Sequence, residues 1–133
     1  EYSTLAYPSD ILMVCIGGSI GKSAITKSTV SFNQQINAIS PILIDSKYLS
    51  SAMNSPYFQN TILDAATGSA TPIINKSKWE EILIPLSPLA EQHRIVAKVD
   101  ELMTLCNALK AHINQAQTTQ IHLADAIVEQ AVA

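Results

Sequence analysis

The stretch SPLAEQHRIVAKVDELMTLCNALKAHINQA, residues 87–116, carries the most decisive pattern in the chain. Its apolar residues recur in alternating steps of four and three: Ile95, Val99, Leu102, Cys106, Leu109, Ile113 and Ala116. The same register runs on through Gln120, Leu123, Ile127 and Gln130, which is a sustained heptad seam. Ser87 is placed to cap the helix, and Pro88 occupies the favoured first helical position. At 1.5 Å rise per residue, a helix over residues 88–133 is about 70 Å long. Nothing in the 87 residues before it is large enough to cover that length. The seam therefore predicts a second helix, packed through Ile95, Val99, Leu102, Leu109, Ile113, Leu123 and Ile127. Ala116 and Gln120 mark a local weakening or a register-setting position within it.

The residues before Ser87 read differently. Short apolar runs alternate with turn residues, and the sequence divides there: no glycine lies beyond Ser87 and Pro88 is the last proline. DILMVCI, residues 10–16, is a continuous apolar run of strand length, expected to be buried on both faces. A glycine-rich turn at residues 17–21 and a return strand over residues 23–26 would complete a hairpin. Residues 37–39, 42–44, 73–74 and 81–86 are further strand candidates. Residues 47–66 look helical, with Leu49, Met53, Phe58, Ile62 and Leu63 toward one side. The Asn54-Ser55-Pro56 interruption predicts two short helices there rather than one. The expected fold is α+β: a small mixed or antiparallel sheet with short helices over residues 1–87, followed by one long coiled-coil helix over residues 88–133.

Composition bounds the function. The chain has 133 residues, 47% hydrophobic and 14% charged, so it can bury a core and does not read as disordered. It contains no run of about 18 apolar residues, and no membrane partner is expected. Cys15 and Cys106 are far apart and form neither a disulfide framework nor a zinc cluster, which fits a reducing, cytoplasmic setting. The net charge is −3, distributed as −1 over residues 1–88 and −2 over residues 89–133. Neither part is basic, which argues mildly against a strong nucleic-acid binder acting alone.

Catalytic motifs fail on spacing. GGSIGKS, residues 17–23, has three residues between Gly17 and Gly21 where a phosphate-binding loop needs four, and a strand rather than a helix follows it. Asn54-Ser55-Pro56-Tyr57 resembles the adenine-methyltransferase motif Asn-Pro-Pro-Tyr, but Ser55 replaces its first proline and no cofactor-binding strand and turn accompany it. His93, His112 and His122 all lie in the long helix, without metal-ligand spacing, and no nucleophile elbow is present. We therefore expect no enzyme, no metal and no cofactor on this chain. The polar loops are what remain. Lys22, Gln34, Gln35, Lys76 and Lys78 supply ammonium and carboxamide groups of the kind that hold phosphates or base edges.

Taken in order, DILMVCIGGSIGKSAI, FNQQINAISP, YLSSAMNSPYF, ATGSATPIINKSKWEEILIPL and SPLAEQHRIVAKVDELMTL resemble the specificity (S) subunit of type I restriction-modification systems. Residues 84–96, IPLSPLAEQHRIV, resemble that family's junction between a target-recognition domain and a conserved long helix, with Ser87 where the family often has a second proline. The resemblance implies that residues 1–87 are the C-terminal portion of one target-recognition domain. It implies that residues 88–133 are a helix that pairs and docks a methyltransferase subunit. The expected partners are double-stranded DNA, the modification subunit, the restriction subunit indirectly, and a second copy through the long helix. S-adenosylmethionine is expected in the modification subunit. Under the resemblance, Lys22, Lys76 and Lys78 are candidates for phosphate contacts, with Gln34 and Gln35 next. The alternative is a truncated fragment that serves only as a coiled-coil homodimerisation module and does not bind DNA.

Overall fold

The structure, a computed structural model, describes residues 4–132. Five short strands come first: β1 (Thr4–Ala6), β2 (Ile11–Val14), β3 (Ser23–Ile25), β4 (Val30–Phe32) and β5 (Ile36–Ile39). Four helices follow: α1 (Ser46–Met53), α2 (Pro56–Ala65), α3 (Lys76–Glu80) and α4 (Leu89–Val132). One compact unit extends through Val96 and a second begins at Ala97. The expected α+β architecture with a long terminal helix is what the structure has.

Strand β2 is central. It pairs antiparallel with β3 on one side (Ile11 opposite Ile25) and with β5 on the other (Ile11 opposite Ile39). A separate antiparallel pair joins β1 to β4. The run at residues 10–16 is not buried on both faces as expected. Ile11, Met13 and Cys15 are buried while Leu12 and Val14 are half-buried. The sheet has one core face, and the apolar residues on the other face are only partly covered. Against the core face pack Leu49 and Met53 of α1, Phe58 and Ile62 of α2, and Ile74.

The predicted break between α1 and α2 is present, and both helices are capped by their preceding residues. Asp45 Oδ1 accepts from the Tyr48 amide at 2.9 Å, and Ser55 Oγ accepts from the Phe58 amide at 3.3 Å, with Pro56 in the first turn. Leu63, assigned to the buried side by its spacing, is exposed; it falls on the flank of α2 turned away from the sheet.

Three strand predictions do not hold. Residues 42–44 form a bend in which Leu43 takes a left-handed φ of 60° and is 93% exposed. Pro41 cannot donate to a ladder and the positive φ breaks the extended run. Ile73 makes only isolated bridges, to Ile16 and Thr67. In residues 81–86, Glu81 ends α3 in a helical conformation and residues 82–86 join no ladder; Ile82 and Ile84 pack on the core while Leu83 between them is exposed, a strand-like alternation without a paired strand. Conversely, β1, β4 and α3 had no prediction. Strands of three residues are too short for periodicity to register, and α3 is a five-residue helix announced only by its cap, Asn75, which accepts from the Lys78 amide at 2.9 Å.

Helix α4 begins at Leu89, with the Pro88 carbonyl accepting from the amides of Glu91 and Gln92. Ser87 does not cap it. Its hydroxyl lies 3.3 Å from the Tyr48 hydroxyl, and its carbonyl accepts from Gln92 Nε2 at 2.8 Å. From Asp100 to Val132 every residue is exposed, including the seam residues Leu102, Leu109, Ile113, Leu123 and Ile127. Ile95 and Val99 are half-buried.

Candidate nucleic-acid interface

The candidate site forms where strand β2 ends. Val14 and Cys15 direct their backbone groups to opposite sides, and a different loop is tied to each. On the β3 side, the Val14 amide donates to the Lys22 carbonyl at 2.9 Å, and the Gly21 amide donates back to the Val14 carbonyl at 2.9 Å. On the β5 side, the Cys15 amide donates to the Gln35 carbonyl at 2.8 Å. The Cys15 carbonyl accepts from Ile74 at 3.0 Å, and the Gly17 amide donates to Pro72 at 2.8 Å. The loops at residues 17–22, 33–35 and 67–72 thus converge on one end of one strand. None of the three contains an Asp or a Glu, although the chain as a whole is acidic.

Each loop is stiffened from within. Gly21 has φ +84°, and a Cβ there would lie 2.6 Å from Gln59 Oε1. Gln59 Nε2 donates to the Gly21 carbonyl at 3.0 Å and to the Met53 carbonyl at 2.6 Å, so α2 holds the glycine turn. Gly68 has φ +92°, and a Cβ there would lie 2.6 Å from the Thr71 carbonyl oxygen; Thr67 and Ile73 close that loop with reciprocal backbone bonds of 2.8 and 2.9 Å. In the third loop, Asn33 Oδ1 accepts from the Gln35 amide at 3.0 Å and the Asn33 carbonyl accepts from Ile36 at 3.1 Å.

Four of the five loop residues singled out from the sequence border this end of β2. Lys22 and Gln35 stand on either side of it, with backbones about 10 Å apart across two strand spacings. Gln34 and Lys76 line one groove of about 740 Å³, together with Asn37, Ser40, Trp79 and Asp10. Lys22 and Lys76 are exposed. Lys76 also reaches Glu80 at 3.5 Å, an exposed pair that contributes little to stability. Lys78 is placed elsewhere: its Nζ donates to the Ala65 carbonyl at 3.3 Å, on the side of α3 facing α2.

Sequence reasoning did not single out Asn33, Asn37 or Gln59. Asn33 was legible as a turn-former between two apolar runs; Asn37 and Gln59 act through contacts distant in sequence and gave no local signal. Trp79 lies in a stretch whose neighbours are polar, and its role depends on a contact distant in sequence. Its indole Nε1 lies 3.3 Å from Met13 Sδ, which sets α3 against β2. Beneath the site, burial pushes the Cys15 thiol above its ordinary value, partly offset by a hydrogen bond from the Asn37 backbone.

Comparison with known proteins agrees with this architecture. Residues 1–117 match the type I restriction modification DNA specificity domain. The chain is 39% identical over 89 residues to the type I restriction enzyme EcoAI specificity subunit of Escherichia coli, covering 67% of this chain and 15% of that protein. It is 25% identical over 135 residues to the EcoBI specificity subunit of the same species, covering 98% of this chain and 28% of that protein. Among solved structures, the HsdS subunit from Thermoanaerobacter tengcongensis superposes with a TM-score of 0.65 at 25% identity, over 80% of this chain and 25% of that one. A chain from a structure described as the basis of complex assembly and conformational transition of the type I R-M system gives 0.70 at 25% identity, over 89% and 28%. The chain therefore spans well under a third of the length of these relatives. With the specificity domain matched across most of its residues, it belongs to the type I restriction-modification DNA specificity family.

Proposed function

We propose that this chain is a DNA-reading and assembly segment of a type I specificity subunit and performs no chemistry itself. The observation that carries the reading is the convergence of three acid-free, internally braced loops on the end of β2, with Lys22 in one of them and Lys76 lining a groove with Gln34 of another. Such a surface offers amide, hydroxyl and ammonium groups to a polyanion with little reorganisation. The modification subunit would bring S-adenosylmethionine and perform the methylation, and the restriction subunit would join through it. Partner subunits would also supply the wider DNA clamp that a chain of net charge −3 lacks. The setting of such an assembly is cytoplasmic.

The exposed seam of α4 favours a second, compatible reading: the chain pairs with a copy of itself through Ile95, Val99, Leu102, Leu109, Ile113, Leu123 and Ile127. Light scattering coupled to size exclusion tests both, first with the chain alone, then with the modification subunit, then with duplex DNA added. A dimer that captures the modification subunit and retains DNA supports the full reading. A dimer that captures neither leaves the homodimerisation module alone, and a monomer removes the helix-pairing argument.

A further inference from the structure

We infer that the groove bordered by Gln34, Asn37 and Lys76 reads the edge of an adenine in an A·T pair, with Gln34 as the base-contacting carboxamide; this rests on the DNA-reading function proposed above. The turn at residues 33–35 divides its polar groups by task. The Asn33 side chain is consumed in shaping the turn, through its bond to the Gln35 amide at 3.0 Å. The Gln35 backbone pins the turn to Cys15. The Gln34 carboxamide, on the exposed tip, makes no hydrogen bond among the described residues and borders the groove. A donor and an acceptor are thus presented side by side on a backbone held from both ends. That pair matches the N6 amino donor and N7 acceptor of adenine in the major groove.

The rest of the groove argues for a base edge over a phosphate. Its carboxylate, Asp10, is buried; Asp10 Oδ2 accepts from the Tyr7 amide at 2.7 Å. A carboxylate in the lining repels a phosphate but tolerates an amino group. Asn37, half-buried on β5, adds a second carboxamide to the same wall. The cations stand outside: Lys76 is exposed on α3 at the groove's rim, and Lys22 lies on the far side of β2. This arrangement puts phosphate contacts at the flanks and a hydrogen-bonding reader between them.

The test uses the complex of this chain with its modification subunit, selecting from a randomised duplex library and scoring each position of the recovered site. With Gln34→Ala, discrimination at one position that is adenine in the parent site is expected to fall by about 10- to 100-fold, with the other positions kept. Gln34→Glu keeps the side-chain length but loses the donor, and is expected to shift that position toward cytosine, whose amino group a carboxylate accepts. Lys76→Gln is expected to weaken binding evenly across sequences and lower the salt slope by about one. Unchanged thermal unfolding of each variant confirms that the fold is intact. If the parent complex selects a site and Gln34→Ala selects the same site with undiminished discrimination, the inference is overturned while the DNA-reading function stands. If the relaxed position is not adenine, the inference is also overturned. If the parent complex selects no sequence at all, the underlying function fails first.

Discussion

Gln92 Oε1 accepts the backbone amide of Asp45 at 2.8 Å, and the two residues between them fasten the start of α4 to the start of α1. Asp45 caps α1 with its carboxylate while its own amide is satisfied by Gln92, and Gln92 Nε2 returns to the Ser87 carbonyl at 2.8 Å. Gln92 is only 1% exposed, the one fully buried polar residue of α4. Tyr48 reinforces the same joint by donating to the Pro85 carbonyl at 2.8 Å. Replacing Gln92 with Leu keeps most of the volume but strands a part-buried amide and a carbonyl. We expect a loss of about 1–3 kcal/mol, read as a lower urea midpoint with an unchanged slope.

The two glycines at residues 18 and 21 give opposite expectations. Gly21→Ala places a methyl group 2.6 Å from Gln59 Oε1 at a positive φ, and should cost about 1–2 kcal/mol. Gly18 has open space around its Cβ and no positive φ, so Gly18→Ala should stay within about 0.5 kcal/mol of the parent. Equal effects in a thermal melt would mean that Gln59 does not brace the turn.

Leu43 holds a left-handed conformation with its side chain 93% exposed. Asn tolerates that backbone, and little packing is lost. Leu43→Asn should raise the stability of the isolated chain by about 0.5–1 kcal/mol, visible as an increase in Tm.

The seam of α4 can be broken without touching the core of the first unit. Leu102→Asp and Leu109→Asp change residues that are about half exposed within the chain, at 49% and 61%. Their effect should appear only on pairing, where an unpaired charge in an apolar interface costs several kcal/mol. Solution mass should fall from dimer to monomer while the far-ultraviolet signature of the first unit persists.

The cysteines should separate in thiol labelling. Cys106 is exposed within the single chain and should react at once in the unpaired Leu102→Asp variant and more slowly where the seam is paired, whereas Cys15 is buried, donates to the Met13 carbonyl at 3.5 Å, and waits for unfolding in either case. Burial holds the Cys15 pKa above its ordinary 9.0, so the folded state favours the neutral thiol. That contribution is fully present below the unfolded value and is lost as pH rises through it toward the folded one. Replacing Cys15 with Ala should therefore flatten the alkaline fall in stability above about pH 9.

The long helix, the break at Pro56 and the β2–β3 hairpin all follow from local rules. Heptad spacing, proline geometry and a glycine turn act within a few residues of one another, so the sequence alone determines them. It also marked Lys22, Gln34, Gln35 and Lys76 as polar loop residues, without showing that they belong together. Their meeting depends on backbone bonds between segments far apart in sequence, such as Cys15 to Gln35 and Gly17 to Pro72. The separation of Lys78 from that group has the same origin, because the facing of a five-residue helix is set by Trp79 against Met13. Residues 81–86 show the limit from the other side. They alternate as a strand does, but pairing needs an available edge, and only the tertiary structure decides whether one is there.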